Sequence, residues 1–179
     1  MFESITNLAS GRNVLIALII MMLGTTWLFN AGPYSELPSF GTGNAPEESI
    51  AIAADLGDYL SDLGDGRSTY QSHLFWDFLN PALMVPFFTL FLGWLLQKNT
   101  LAHRWRYILV IPLLIAAAEI VENGLLLVAV QRFPEPALAL PLLTMSTALK
   151  FASLIACVLL GIGLGLLAIA SRLRGTGNS

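Results

Sequence analysis

Residues Tyr107–Val130 read YILVIPLLIAAAEIVENGLLLVAV. The run is long enough to cross a bilayer, which takes ~20 helical residues. Yet it carries Glu119, Glu122 and Asn123 near its middle. A charge at that depth costs ~2.5–3.5 kcal/mol to insert, so such side chains turn inward and find partners. Their i, i+3, i+4 spacing puts all three on one helical face. A lone helix cannot satisfy that face. The fold must bury it against further helices.

Three other apolar runs supply them. Val14–Phe29 is short and is flanked by Asn13 and Asn30. Leu74–Leu96 is interrupted by Asp77, Asn80, Pro81 and Pro86. Ala137–Ala170 carries Lys150. At ~1.5 Å per residue this last run is too long for one upright span. Residues 137–143 are therefore expected as an interfacial lead-in, with Pro141 near the helix start. The expected fold class is all-α: a polytopic four-helix membrane bundle forming a single membrane domain over residues 1–179. Its spans are expected at about 13–30, 74–97, 107–130 and 144–170. The first run reads as a retained span. A cut after Ala31 would place Phe29 where a leader needs a small residue.

Composition agrees. Of 179 residues, 55% are hydrophobic and only 12% are charged, about half the usual ~25% charged fraction. Mean hydropathy is +0.70. A disordered chain and a disulfide-stapled scaffold are excluded on these figures. A formal charge of −3 gives no basic footprint for nucleic acid. One cysteine, Cys157, and two histidines, His73 and His103, cannot build a structural zinc site. The histidines fall at opposite membrane faces, which excludes a shared haem. Gly161-Ile162-Gly163-Leu164-Gly165 lies inside a span and carries no weight as a nucleotide loop. No cofactor and no metal are expected.

Orientation follows from loop Lys and Arg residues. Arg12, Lys98, Arg104, Arg106, Arg172 and Arg174 fall on one side, and only Arg67 and Arg132 on the other. The expectation is a bacterial inner-membrane protein with both termini cytoplasmic. Trp105 and Tyr107 fit an inner interfacial belt; Trp27, Phe75 and Trp76 fit the outer one.

The extracytoplasmic loop, residues 31–73, is expected to begin as irregular chain up to Gly43. Asn44-Ala45-Pro46-Glu47 has capping-box spacing, which predicts a helix over about 45–63. Ile52, Leu56, Tyr59, Leu60 and Leu63 share one face, with Asp55, Asp58 and Asp62 on another. Gly64 and Gly66 supply the stop. This helix either covers the outer ends of the bundle or acts as a lid.

Asp77, Asn80, Glu119, Glu122, Asn123 and Lys150 all fall between the midplane and the outer surface. Tyr70 and His73 extend the Asp77 stripe outward, and Arg67 is placed to fold over the mouth and neutralise a carboxylate. Lys150 is expected to pair with Glu119 or Glu122. Together these residues predict an outward-facing charged pocket. Its use is open at this stage: a structural pair that fixes helix register, a site for a small amphipathic or cationic ligand that is bound or transported, or acid/base chemistry. Ser153, Cys157, Gly161 and Gly165 recur every four residues. Such a stripe serves packing within the chain, or contact with a second copy or a partner subunit of a larger membrane complex. Pro81, Pro86 and Pro112 are expected to kink their spans. Membrane lipid is the surrounding partner.

The order of features resembles a group of small bacterial four-helix membrane proteins without an assigned activity. The matching elements are Gly66-Arg67-x-x-Tyr70, Asp77, Glu122-Asn123 and Lys150, over residues ~50–150. The resemblance implies a shared pocket, with Glu119 standing where that group has an Asp. A looser likeness is to the EXPERA group of sterol isomerases and sigma-2-like receptors. It rests on a loop helix before Phe75-Trp76-Asp77-Phe78 and Pro86-Phe87-Phe88, and it implies acid/base roles for Asp77 and Glu119. The first span here lacks the acid of that group.

Overall fold

The computed structural model describes residues 7–40, 45–49, 52–99, 105–135 and 140–176. Helix α1 spans Gly11–Asn30, α2 Ile52–Leu63, α3 Arg67–Asp77, α4 Leu79–Lys98, α5 Ile111–Arg132 and α6 Leu140–Thr176. There is no strand among the described residues. Four helical stretches are long and apolar enough to cross a membrane. The chain is an all-α, multi-pass membrane bundle of four spans.

Local chemistry explains the boundaries. Ser10 caps α1 by accepting from the Asn13 amide at 3.2 Å. At the other end the Ala31 and Gly32 amides both donate to the Trp27 carbonyl at 2.9 Å. The second span is divided. α3 ends at Asp77, and Phe78 forms a turn before α4. Pro81 explains the division: a proline ring clashes with the carbonyl four residues back, here Asp77, and offers that carbonyl no amide. Pro86 sits inside α4. Pro112, expected to kink its span, lies in the first turn of α5 instead, after a 3-10 lead-in at Arg106–Val110. Proline costs little there because that amide has no helical partner.

The loop also differs from expectation. Pro33–Phe40, expected as irregular chain, is a 3-10 segment. The expected helix over 45–63 is broken. Pro46–Glu48 forms a single 3-10 turn, Ser49 is extended, and α2 starts at Ile52. Asn44, the expected capping residue, lies outside the described residues, as do Gly41–Gly43, Arg104, His103 and residues 136–139.

α5 pairs with α6 and α1 with α4, and α4 joins the two pairs through contacts to both α5 and α6. α1 is peripheral. It buries only Val14 and Leu28, while Leu15, Ile16, Ile19, Ile20 and Leu23 stay exposed. With similar exposed residues on α5 and α6, these side chains form the surface offered to lipid, since an apolar belt of that extent is not tolerated in water. Gly24 permits the close approach of α1 to α4: a Cβ there would lie 2.4 Å from Leu83 Cδ1.

The interior is layered. At the end of the bundle that carries α2, termed the outer end, an apolar cluster joins Leu56, Leu60 and Leu63 of α2 to Tyr70, Leu74, Leu126 and Leu143. An inner cluster joins Leu92, Leu95, Leu96, Leu109, Ile115, Cys157 and Leu164. On every spanning element except α1, polar residues of the candidate site fall between these two clusters: Asp77 and Asn80 between Leu74 and Phe88, Glu119 to Asn123 between Ile115 and Leu126, and Thr147 and Lys150 between Leu143 and Cys157. The candidate site is therefore a polar layer lying between two apolar ones.

Candidate functional site

Four carboxylates are buried in this layer and its outer rim: Glu47, Asp77, Glu119 and Glu122. Each has distinct partners. Lys150 on α6 forms an ion pair with Glu122 on α5. The Thr147 hydroxyl donates to the other Glu122 oxygen. Thr147 and Lys150 are spaced i, i+3 and so reach the same carboxylate from one helical face. Lys150 also donates to the backbone carbonyl of Glu47 at 3.3 Å. Asn123 Nδ2 donates to Asp77 Oδ2 at 3.0 Å. Asn80 Nδ2 donates to Glu119 Oε1 at 2.7 Å. Each acid thus has a donor from a different helix. Hydrogen bonds to charged groups are worth ~1.5–3 kcal/mol, so the layer sets the register of α3 to α6 as well as lining a site.

The outer rim was not legible beforehand. Glu47 reads as a capping residue in a solvated loop. In the structure it is 8% exposed and clamped to α3. Tyr70 Oη donates to Glu47 Oε2 at 2.7 Å, and His73 Nε2 lies 3.1 Å from Oε1. Tyr34 donates to the neighbouring Glu48 and packs its ring edge-on to His73, with centroids 4.9 Å apart. The stripe of Tyr70, His73 and Asp77 therefore lies on one buried face of α3, as its spacing predicts, but its first two members serve the loop carboxylate.

Among the described residues Arg67 pairs with no carboxylate. Its guanidinium stacks over the Phe133 ring, 4.7 Å from the centroid. Arginine is weakly hydrated and planar, so an aromatic face competes well for it. Lys150 takes Glu122 rather than Glu119. Trp27 and Trp76 make an edge-to-face pair at 5.4 Å at the outer end, and Trp105 and Tyr107 are exposed at the inner end. On α6, Ser153, Cys157 and Gly161 face the interior. A Cβ on Gly161 would lie 2.7 Å from Phe91 Cε1, whereas one on Gly165 would meet nothing.

A cavity of about 260 Å³ opens beside the polar layer. Its walls come from three helices and the loop: Asn80 and Met84, Ile115 and Glu119, Lys150, Phe151 and Leu154, with Glu47 and Glu48 at the rim. One end is charged and the other apolar. Asp77, Glu122 and Asn123 are not among its lining residues; Glu122 holds Lys150 of the wall. Among the described residues no group of His, Cys, Asp and Glu is arranged to hold a metal ion.

No family model, curated protein or solved structure matches this chain. The functional reading therefore rests on its own residues.

Proposed function

We propose that this membrane protein binds a small amphipathic cation in the cavity between α4, α5 and α6, as a binding or transport protein of the bacterial inner membrane with both termini cytoplasmic. The observation that carries the reading is Glu119. It is 2% exposed, it lines the cavity, and among the described residues it has no cation: its partner is the neutral Asn80 amide. Lys150, the ammonium on the cavity wall, is taken by Glu122 and the Glu47 carbonyl. Three carboxylates and one ammonium line the space. A buried charge without a counter-ion is costly, and a ligand cation would supply one. Met84, Ile115, Phe151 and Leu154 would receive an apolar body beside it. Few pockets below ~300 Å³ hold a drug-sized ligand, so the molecule is small.

The test uses the full chain in lipid nanodiscs with hexylammonium, hexyltrimethylammonium and hexanol as probes, read as shifts in melting temperature. Cations should stabilise the protein and hexanol should not. Glu119→Gln keeps the side-chain shape and should erase the response. Equal shifts from cation and alcohol would refute the reading.

A further inference from the structure

The cavity is tiered, and the tiers follow from helix register. Asn80 and Met84 on α4, Glu119 and Ile115 on α5, and Lys150 and Leu154 on α6 all line it. Each pair is four residues apart, so each helix turns one polar side chain and, about a turn away, one apolar side chain to the same face. The chain directions agree. The second span and α6 run from the outer cluster to the inner one, and α5 runs the other way. Met84, Ile115 and Leu154 therefore all lie on the inner side of their polar partners. Glu47 and Glu48 stand at the opposite, outer rim. Ile115 belongs to the inner apolar cluster, and Met84 and Leu154 pack against it. These three apolar side chains form the floor of the cavity.

A floor of this kind fixes which way an amphipathic cation lies and how long it is. With the head on Glu119, a chain pointing outward would set its methylenes between the Glu47 and Glu48 carboxylates. A chain pointing inward sets them on Met84, Ile115 and Leu154, where burial is favourable. The depth follows from the helices. Four residues rise about 6 Å. An extended carbon chain advances about 1.3 Å per bond, since three bonds separate alpha carbons about 3.8 Å apart. The floor is then reached by about the fifth carbon. We infer, resting on the cation-binding reading above, that the ligand is a short-chain alkylamine of about four to six carbons, its ammonium outward on Glu119 and its tail inward, and that Met84, Ile115 and Leu154 set its length. A longer tail has to displace side chains packed on the inner cluster, and close-packed interiors resist added methylenes. Alkylamines, like the lysine side chain, are protonated at neutral pH.

The assay measures dissociation constants of straight-chain alkylammonium ions from ethyl to decyl for the full chain in nanodiscs, with binding to protein-free nanodiscs subtracted. Affinity should rise about fourfold per buried methylene up to pentyl or hexyl and then break. From hexyl to decyl an unbroken trend would add about 250-fold; the floor should hold the gain below about fourfold. Ile115→Ala leaves space below the floor and should move the break about two methylenes toward longer chains. Leu154→Ala, at a half-buried position, should move it the same way and serves where Ile115→Ala does not fold. Leu159→Ala, on the exposed side of α6, should leave the break in place. An unbroken rise to decyl would overturn the inference while leaving the cation site standing, as would a break that neither floor substitution moves. Binding no tighter than that of the matching alcohols across the series would overturn both.

Discussion

Replacing Lys150 by Met tests the centre of the polar layer. The substitution keeps the length of the side chain and removes its charge. Glu122, 0% exposed, would retain only the Thr147 hydroxyl as donor. Breaking a buried pair from one side costs ~3–5 kcal/mol. The carboxyl has one escape, which is to take up a proton, and this sets a ceiling. At pH 7 the proton costs about 3.7 kcal/mol, at about 1.36 kcal/mol per pH unit above an ordinary glutamate value near 4.3. At pH 5.5 the same step costs about 1.6 kcal/mol. The sign follows. The mutant's native state holds a proton that its unfolded state has released, so its stability falls as pH rises and its deficit is smaller in acid. For a chain of this length about 3.7 kcal/mol corresponds to a melting shift of about 7–15 °C.

Trp27, Trp76, Trp94 and Trp105 give an intrinsic fluorescence signal for melting in nanodiscs. Lys150→Met should melt well below the wild type at pH 7.5 and closer to it at pH 5.5. Adding Glu122→Gln removes the stranded charge and leaves an acceptor for Thr147, so the double variant should recover most of the loss. Lys150→Met with Glu119→Gln should not recover, because Glu119 is bonded to Asn80. A Lys150→Met protein as stable as wild type at pH 7.5 would refute the buried pair and leave Lys150 reaching for the outer interface.

Three further outcomes follow. Tyr70→Phe removes the donor to Glu47 and should cost ~1.5–3 kcal/mol, with faster exchange of the Glu48 and Ser49 amides that close the turn; unchanged exchange there would show that the rim does not depend on this bond. Gly161→Ala should lower the melting temperature, because its Cβ meets Phe91, while Gly163→Ala, which meets nothing, should be neutral; equal effects would remove the α4–α6 close approach. Exposed Glu36→Cys and Ser171→Cys, each in a Cys157→Ser background, should label oppositely with an impermeant thiol reagent in intact cells; labelling of Ser171→Cys from outside would reverse the proposed orientation.

The part of this architecture that could be read from sequence is the part governed by local rules. Four apolar runs and the i, i+3, i+4 spacing of Glu119, Glu122 and Asn123 follow from the thickness of a bilayer and the pitch of a helix. The pairing of Lys150 narrowed to two acids for the same reason: both lie on the face that α6 must meet. Thr147 could have been found, since it precedes Lys150 by three residues and shares its face. Glu47 could not. Its partners are 23 and 26 residues away, and the signal around it, Asn44-Ala45-Pro46-Glu47, fits a local cap equally well. What decides between cap and clamp is burial, because the Tyr70 hydroxyl and the His73 imidazole lie at the outer apolar cluster and need an acceptor there. Arg67 fails for the opposite reason. Charge complementarity favours a carboxylate, but the acids of the layer already hold amide, hydroxyl and lysine donors, and the guanidinium lies over the Phe133 ring. The same accounting isolates Glu119. Once each donor in the layer is assigned, Glu119 is the carboxylate of the helical wall of the cavity, held by a single neutral amide, and a site is recognised here by the cation that is missing among the described residues.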